Sequence, residues 1–216
     1  MDNVYNLLLK NKSTITICGP SQSGKTTLVE KLVKNRDQLF EDPISNVYWF
    51  SAYAPSNKIN GVKYNVGVPG SILRQVEPYS LVVIDDYMKE LSNSNELTTL
   101  MTKAVHHLPM TLIYITQNMF NKGSDTKTRR MNTSYLIVFK NPHDRAQVDY
   151  IGRQMFPRDK SFLSSAYDDA TGKHPFSYLL IDCNQETEDE IRVRTNITGI
   201  EKPMIVYVPP SMILRA

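Results

Sequence analysis

Apolar residues in this chain gather in short runs separated by polar or glycine-bearing segments, and the spacing within each run indicates the element it forms. Thr14-Ile15-Thr16-Ile17-Cys18, Thr111-Leu112-Ile113-Tyr114-Ile115-Thr116, Ser134 to Phe139 and Ser177 to Asp182 read as strands, with Ile205 to Val208 as a terminal one. Leu81-Val82-Val83-Ile84 is aliphatic at every position rather than every second one, as a parallel strand buried on both faces requires. Helical spacing lies between these runs. Leu28, Val29, Leu32 and Val33 make one stripe between Lys25 and Asn35, Glu96 to Leu108 reads as a second helix, and Phe162 to Ala170 as another. Val148, Ile151 and Met155 mark a helix that Arg145 opens and Pro157 ends. Glu186 to Glu190 reads as a solvated acidic turn. Pro209 and Pro210 are expected to end regular structure, leaving an apolar tail, Met212 to Leu214, to dock on this chain, a neighbouring subunit or another protein. The 216 residues suit one α/β domain over 13–208, with an N-terminal segment 1–12 and a tail 209–216.

Between the first strand and the first helix lies Gly19-Pro20-Ser21-Gln22-Ser23-Gly24-Lys25-Thr26, the pattern GxxxxGKT, followed by Thr27. Glycines at both ends let the backbone turn tightly, so that successive N–H groups converge on phosphates at a helix N-terminus, where the dipole favours anions. Gly19 to Thr27 are therefore the candidate nucleotide-binding residues. Lys25 places a charge on the β/γ-phosphates, and Thr26 offers a hydroxyl to Mg²⁺, which takes a few protein oxygens plus phosphate oxygens.

The aliphatic run 81–84 ends in Asp85-Asp86, and such a strand end is where open α/β sheets place their chemistry. Asp85 is the candidate partner of Mg²⁺, and Asp86 the group that orients or deprotonates water. A turn opened by an Asp pair is the structural alternative. Gln117, at the exit of the strand 111–116, is the candidate sensor of the γ-phosphate. His106 and His107 are adjacent on a helix and point about 100° apart, which makes a poor chelate.

A formal net charge of +3 and a pI near 8.7 are too weakly basic to establish nucleic-acid binding from composition. The distribution is more telling, since Lys122, Lys127, Arg129 and Arg130 crowd the polar segment Asn118 to Asn132. That segment reads either as a solvated loop or as one that contacts phosphates. No apolar run approaches the ~18 residues that span a bilayer, and no secretory leader opens the chain, so the expectation is a soluble, intracellular protein without a membrane partner. Cys18 and Cys183 are far apart without metal-ligand spacing, and read as buried structural thiols.

Ser134 to Arg145 runs from a strand through Lys140-Asn141-Pro142-His143-Asp144 into a helix. Together with Gly152-Arg153-Gln154-Met155-Phe156-Pro157 and His174-Pro175-Phe176-Ser177-Tyr178-Leu179-Leu180-Ile181-Asp182, it resembles the FtsK/HerA superfamily of P-loop motors. It is most similar to the poxvirus-type genome-packaging ATPases of double jelly-roll capsid viruses and related large transposons. The similarity spans about residues 12–200. It implies a single RecA-like, ASCE-type P-loop domain: a mainly parallel central sheet flanked by helices, with extra C-terminal strands. It also implies ATP and Mg²⁺ as cofactors, a homo-oligomeric ring (pentamer or hexamer), double-stranded DNA and capsid or vertex proteins as partners, and a place at the virion assembly site of an infected cell or in the virion. On this pattern Gly19 to Thr26 form Walker A, Asp85 and Asp86 Walker B, and Gln117 the sensor. The second Walker B residue is often Glu in that superfamily, and Asp86 is one methylene shorter. An arginine reaching the neighbouring subunit's γ-phosphate is also implied. Arg145 is the first candidate, since it opens a helix directly after a core strand, and Arg129 and Arg130 are the alternatives; a local cap or ion pair is the other role open to Arg145.

Two other classes share the phosphate loop. A nucleotide or small-molecule kinase would use the basic segment as an arginine-rich lid, and a nucleotide-gated assembly factor would hydrolyse slowly or not at all. A GTPase fits less well, because Asn121-Lys122-Gly123-Ser124 has Ser where the guanine-reading Asp belongs.

Overall fold

The computed structural model describes residues 5–53, 58–66, 76–85, 101–102, 109–117, 131–143, 145–172 and 174–213. Within these, the strands are β1 Thr14–Cys18, β2 Asn46–Ser51, β3 Val62–Val66, β4 Ser80–Asp85, β5 Thr111–Thr116, β6 Tyr135–Phe139, β7 Tyr178–Asp182, β8 Val193–Thr195 and β9 Ile205–Tyr207. The helices are α1 Lys25–Lys34, α2 Arg36–Leu39, α3 Arg145–Met155, α4 Phe162–Gly172 and α5 Pro210–Ile213.

The strands form one sheet in the order β3-β2-β4-β5-β1-β6-β7-β8-β9. From β3 to β6 all neighbours are parallel, whereas β7, β8 and β9 add as an antiparallel extension. This is the mainly parallel sheet with extra C-terminal strands that the resemblance implies. The continuous apolar runs are explained by burial on both faces. In β6, Tyr135, Ile137 and Phe139 join the core beneath α1, which also holds Ile15, Leu28, Leu32 and Val83. Leu136 and Val138 point the other way, into the core with Val148, Ile151 and Leu163 of α3 and α4. One strand therefore serves two layers of helix.

Three strands lie beyond those that the apolar spacing predicts: β2, whose Val-Tyr-Trp-Phe run is strand-like by composition, the half-exposed edge strand β3, and the three-residue β8. The tail also departs from expectation. Pro209 and Pro210 do not end regular structure, because Pro suits the first turn of a helix, where its missing N–H costs nothing. A single turn, Pro210–Ile213, follows, and the Ser211 amide donates to the Asp159 carboxylate at 3.2 Å. The acidic run is likewise more than a solvated turn. Glu186 pairs with Lys10 at 2.6 Å and Glu190 accepts from the Tyr5 hydroxyl at 2.5 Å, so this run fastens the N-terminal segment. Leu9 of that segment is buried and bridges to Phe40. Cys18 is buried at the end of β1, while Cys183 sits half-buried one residue beyond β7.

Beneath β7 and β8 lies a charged pair. Arg194 donates to Asp182 at 2.9 Å and to the Leu7 carbonyl at 2.9 Å, and both side chains of the pair are buried. Burial pulls the Arg194 guanidinium below its ordinary pKa, and the Asp182 charge opposes that shift.

Candidate functional site

The phosphate loop leaves β1 at Cys18 and delivers the chain into α1 at Lys25. Both glycines are required sterically. A Cβ at Gly19 would stand 2.7 Å from the Phe139 Cβ of β6, closer than carbon atoms approach. Gly24 has φ 96°, a left-handed conformation that side-chain-bearing residues rarely adopt, and a Cβ there would meet the Phe176 Cβ at 3.0 Å. The Gly19 amide donates to the Thr116 carbonyl at 3.3 Å, tying the loop to β5.

The start of α1 has no side-chain cap and no acidic residue in its first turn. Its leading N–H groups and dipole are therefore directed into the loop, the arrangement that attracts an anion. Lys25 is nearly buried, and its ammonium donates to the Gly19 carbonyl at 2.8 Å and the Pro20 carbonyl at 2.6 Å. A positive charge is thus held inside the ring of the loop. The Ser23 hydroxyl is buried and has no hydrogen-bond partner among the described residues.

Asp85 ends β4 on the far side of β5 from β1. The Thr26 hydroxyl, in the first turn of α1, reaches it and donates to Oδ2 at 3.3 Å. A hydroxyl and a carboxylate side by side are the hard oxygen donors that Mg²⁺ takes alongside water and phosphate. Among the described residues no group of three or more His, Cys, Asp or Glu side chains could hold a metal without such help. Gln117 follows β5, between the two strands, and its carbonyl lies 3.8 Å from the Cys18 thiol. Gly19 to Thr27, Asp85 and Gln117 therefore converge at the carboxyl end of three adjacent parallel strands.

Asp86, Lys122, Lys127, Arg129 and Arg130 lie outside the described residues, as do His106 and His107. Arg145 opens α3 as expected, but its side chain is paired with Asp168 of α4 and lines neither cleft beside the loop. The carboxylate raises the guanidinium's pKa through their hydrogen bond. Asp168 was not anticipated from the sequence, because nothing in local spacing brings α3 and α4 together.

Beside the loop opens a cleft of about 510 Å³. One wall is the loop and α1 from Gln22 to Lys31; the other is His174 to Tyr178, with Asn196, Thr198, Glu201 and Lys202. Lys31 and Glu201 pair across it at 2.7 Å. The Tyr178 hydroxyl accepts from the Ile197 amide at 3.1 Å, holding the second wall to β7, and burial raises its pKa. None of the second wall's residues was assigned to the site from the sequence, since they join the loop only through β7 and β8. The available signal was the segment His174 to Asp182, which carries part of the resemblance and holds Phe176, an aromatic in a polar approach to a strand.

No family model matches the chain. Over 109 residues it is 28% identical to an uncharacterized protein of Acanthamoeba polyphaga mimivirus, a match that covers 47% of this chain and 41% of that protein. The chain thus spans less than half the length of that relative. Among solved structures it is similar to B204, the DNA-packaging ATPase of Sulfolobus turreted icosahedral virus, with a TM-score of 0.52 and 12% identity over 93% of this chain and 99% of that one. The genome-packaging NTPase B204 of Sulfolobus turreted icosahedral virus 2 is also similar. In complex with ATP-gammaS it gives a TM-score of 0.50 and 13% identity over 93% and 100% of the two chains. In complex with AMPPCP it gives 0.51 and 11% over 95% and 100%. At these identities the likeness is one of fold.

Proposed function

We propose that this chain is a Mg²⁺-dependent ATPase that packages double-stranded viral DNA into a preformed capsid. The observation that carries the reading is the meeting of Thr26 and Asp85 at 3.3 Å beside a GxxxxGKT loop, with the Gln117 strand between theirs in the sheet. The fold shared with two viral packaging ATPases supports the viral setting, as does the mimivirus relative. The motifs that resemble the FtsK/HerA and poxvirus-type motors supply the finer assignment: a ring of identical subunits, duplex DNA, and a capsid or vertex protein as the docking partner.

Phosphoryl transfer asks little covalent chemistry of a protein; positioning and charge neutralisation supply most of the catalysis. The loop amides from Ser21 to Thr26 bind the phosphates, and Lys25 leaves its loop carbonyls to neutralise the β/γ-oxygens. Thr26 and Asp85 would hold Mg²⁺, which when bound would supply charge neutralisation to the phosphate oxygens. Asp86 accepts the proton of the attacking water, and Gln117 orients that water against the γ-phosphate. Arg145, released from Asp168, completes the neighbouring subunit's site, with Arg129 and Arg130 as the alternative fingers. An arginine supplied across a boundary is worth about 10³ to 10⁵ in rate, which would make hydrolysis depend on assembly. Lys122, Lys127, Arg129 and Arg130 grip DNA phosphates without reading bases. No helix among the described residues is long and apolar enough to cross a membrane, and the reading requires none.

ATPase rate measured against protein concentration, with and without duplex DNA, tests the proposal. A steep rise with assembly and a further rise with DNA is the expected result. A rate proportional to concentration and indifferent to DNA would favour a kinase or a non-motor assembly factor. Replacing Lys127, Arg129 and Arg130 by Ala should lower the salt slope of DNA binding by up to about 0.9 for each phosphate that is no longer neutralised; an unchanged slope would place the DNA interface elsewhere on the chain.

A further inference from the structure

The sheet order gives the phosphate site a direction. Asp85, on β4, lies to one side of β1, and the segment before β7 and the loop after β8 lie to the other. A nucleotide whose terminal phosphate faces the Thr26 and Asp85 oxygens has room for its sugar and base on the side of β7 and β8. The cleft of about 510 Å³ opens on that side.

At the junction of loop and cleft stands Phe176. Its backbone has φ 64°, a left-handed conformation costly for an aromatic residue, and the residue is 69% exposed despite lying against Gly24. Strain of this kind persists where the surroundings impose it, and it gathers at ligand sites. The same residue also lines a smaller cleft of about 250 Å³ beside the loop, together with Gln22, Ser23 and Ser177, so it borders both. A large apolar ring beside a phosphate cradle offers a face on which any base stacks. On the same wall as Phe176, Asn196 and Thr198 add polar groups and Lys202 a positive charge, while Glu201 is paired with Lys31 from across the cleft.

We infer that Phe176 is the stacking platform for the nucleotide base, with the polar groups of the 196–202 loop on the same wall contacting the base edge and sugar. The inference rests on the nucleotide-binding reading of the loop. Stacking adds affinity only for ligands that carry a base. Phe176→Leu keeps an apolar side chain and removes the aromatic face.

The test compares the binding of ATP and of inorganic tripolyphosphate to wild type, Phe176→Leu and Phe176→Trp. Phe176→Leu should bind ATP about tenfold or more weakly and tripolyphosphate as wild type does. Phe176→Trp should retain ATP affinity, and its fluorescence should be quenched by ATP but not by tripolyphosphate. Equal ATP affinity in Phe176→Leu and wild type would overturn the inference. So would an equal loss for both ligands, which would mean that Phe176 only shapes the loop against Gly24. If wild type bound neither ligand, the nucleotide reading itself would fall and the platform with it.

Discussion

The Thr26 hydroxyl and the Asp85 carboxylate, 59 positions apart in the chain, meet at 3.3 Å above the sheet. The contact exists because β4 and β1 flank β5 in parallel, which brings their carboxyl ends to one edge. It joins the start of the first helix to the end of the aliphatic strand that precedes Asp86.

Loss of either oxygen should therefore show in the metal dependence before it shows in stability. Thr26→Ala and Asp85→Asn should raise the Mg²⁺ concentration needed for half-maximal hydrolysis about 10- to 100-fold, and Thr26→Ser should restore it. Chelation of Mg²⁺ should stop turnover in wild type. A Thr26→Ala protein with the wild-type Mg²⁺ requirement would remove Thr26 from the metal site.

The Asp182 and Arg194 pair should matter to folding instead. Arg194→Met leaves a buried carboxylate without its cation, which costs about 3–5 kcal/mol. The double variant Asp182→Leu with Arg194→Met should recover much of that loss, because no charge is left buried. Urea unfolding of the three proteins measures both effects. A loss below about 1 kcal/mol for Arg194→Met would show that water or another group compensates Asp182.

Arg145 is held by an exposed partner, a pairing that solvent screens and that releases readily. If it acts on a neighbouring subunit, Arg145→Ala and Lys25→Ala should each be nearly inactive alone and should regain partial turnover when mixed, since some interfaces then combine an intact Lys25 with an intact Arg145. Titration with wild type alongside shows whether the ring tolerates dead sites. Full turnover by Arg145→Ala alone would transfer the role to Arg129 or Arg130. Asp168→Ala should spare turnover if Arg145 works away from its local pair.

Burial pushes the Cys183 thiol up to about 11 from an ordinary 9. At pH 8 native Cys183 should be alkylated far more slowly than the same residue in unfolded protein, with the native rate climbing between about pH 9 and 11. Because the folded-state value is the higher one, the contribution of the protonated thiol to stability is present in full below pH 9 and is lost as pH rises through 11. Peptide mapping after alkylation separates Cys183 from the buried Cys18. Equal native and unfolded rates at pH 8 would show the thiol to be open to solvent.

Local pattern alone determined where the GxxxxGKT loop lies, because the motif is contiguous: Gly19 to Thr26 follow a strand and open a helix, and both neighbours are legible from apolar spacing. It also determined the strands ending in Asp85 and Gln117, since burial on both faces demands an unbroken aliphatic or β-branched run. Tertiary structure decided which strand ends are adjacent. The insertion of β5 between β1 and β4, and the reversal of β7, depend on crossovers and on which faces α1, α3 and α4 cover, and no local period encodes them. For the same reason the sequence did not place the second wall of the cleft, His174 to Tyr178 with residues of the 196–202 loop, beside the phosphates: these residues reach the loop through an antiparallel extension containing a three-residue strand and held by the buried Asp182 and Arg194 pair. Arg145 was placed correctly at a helix start, yet its pairing with Asp168 required two helices to pack. Contiguous chemistry is written in the chain, whereas chemistry assembled across strands and helices exists only once burial has brought those elements together.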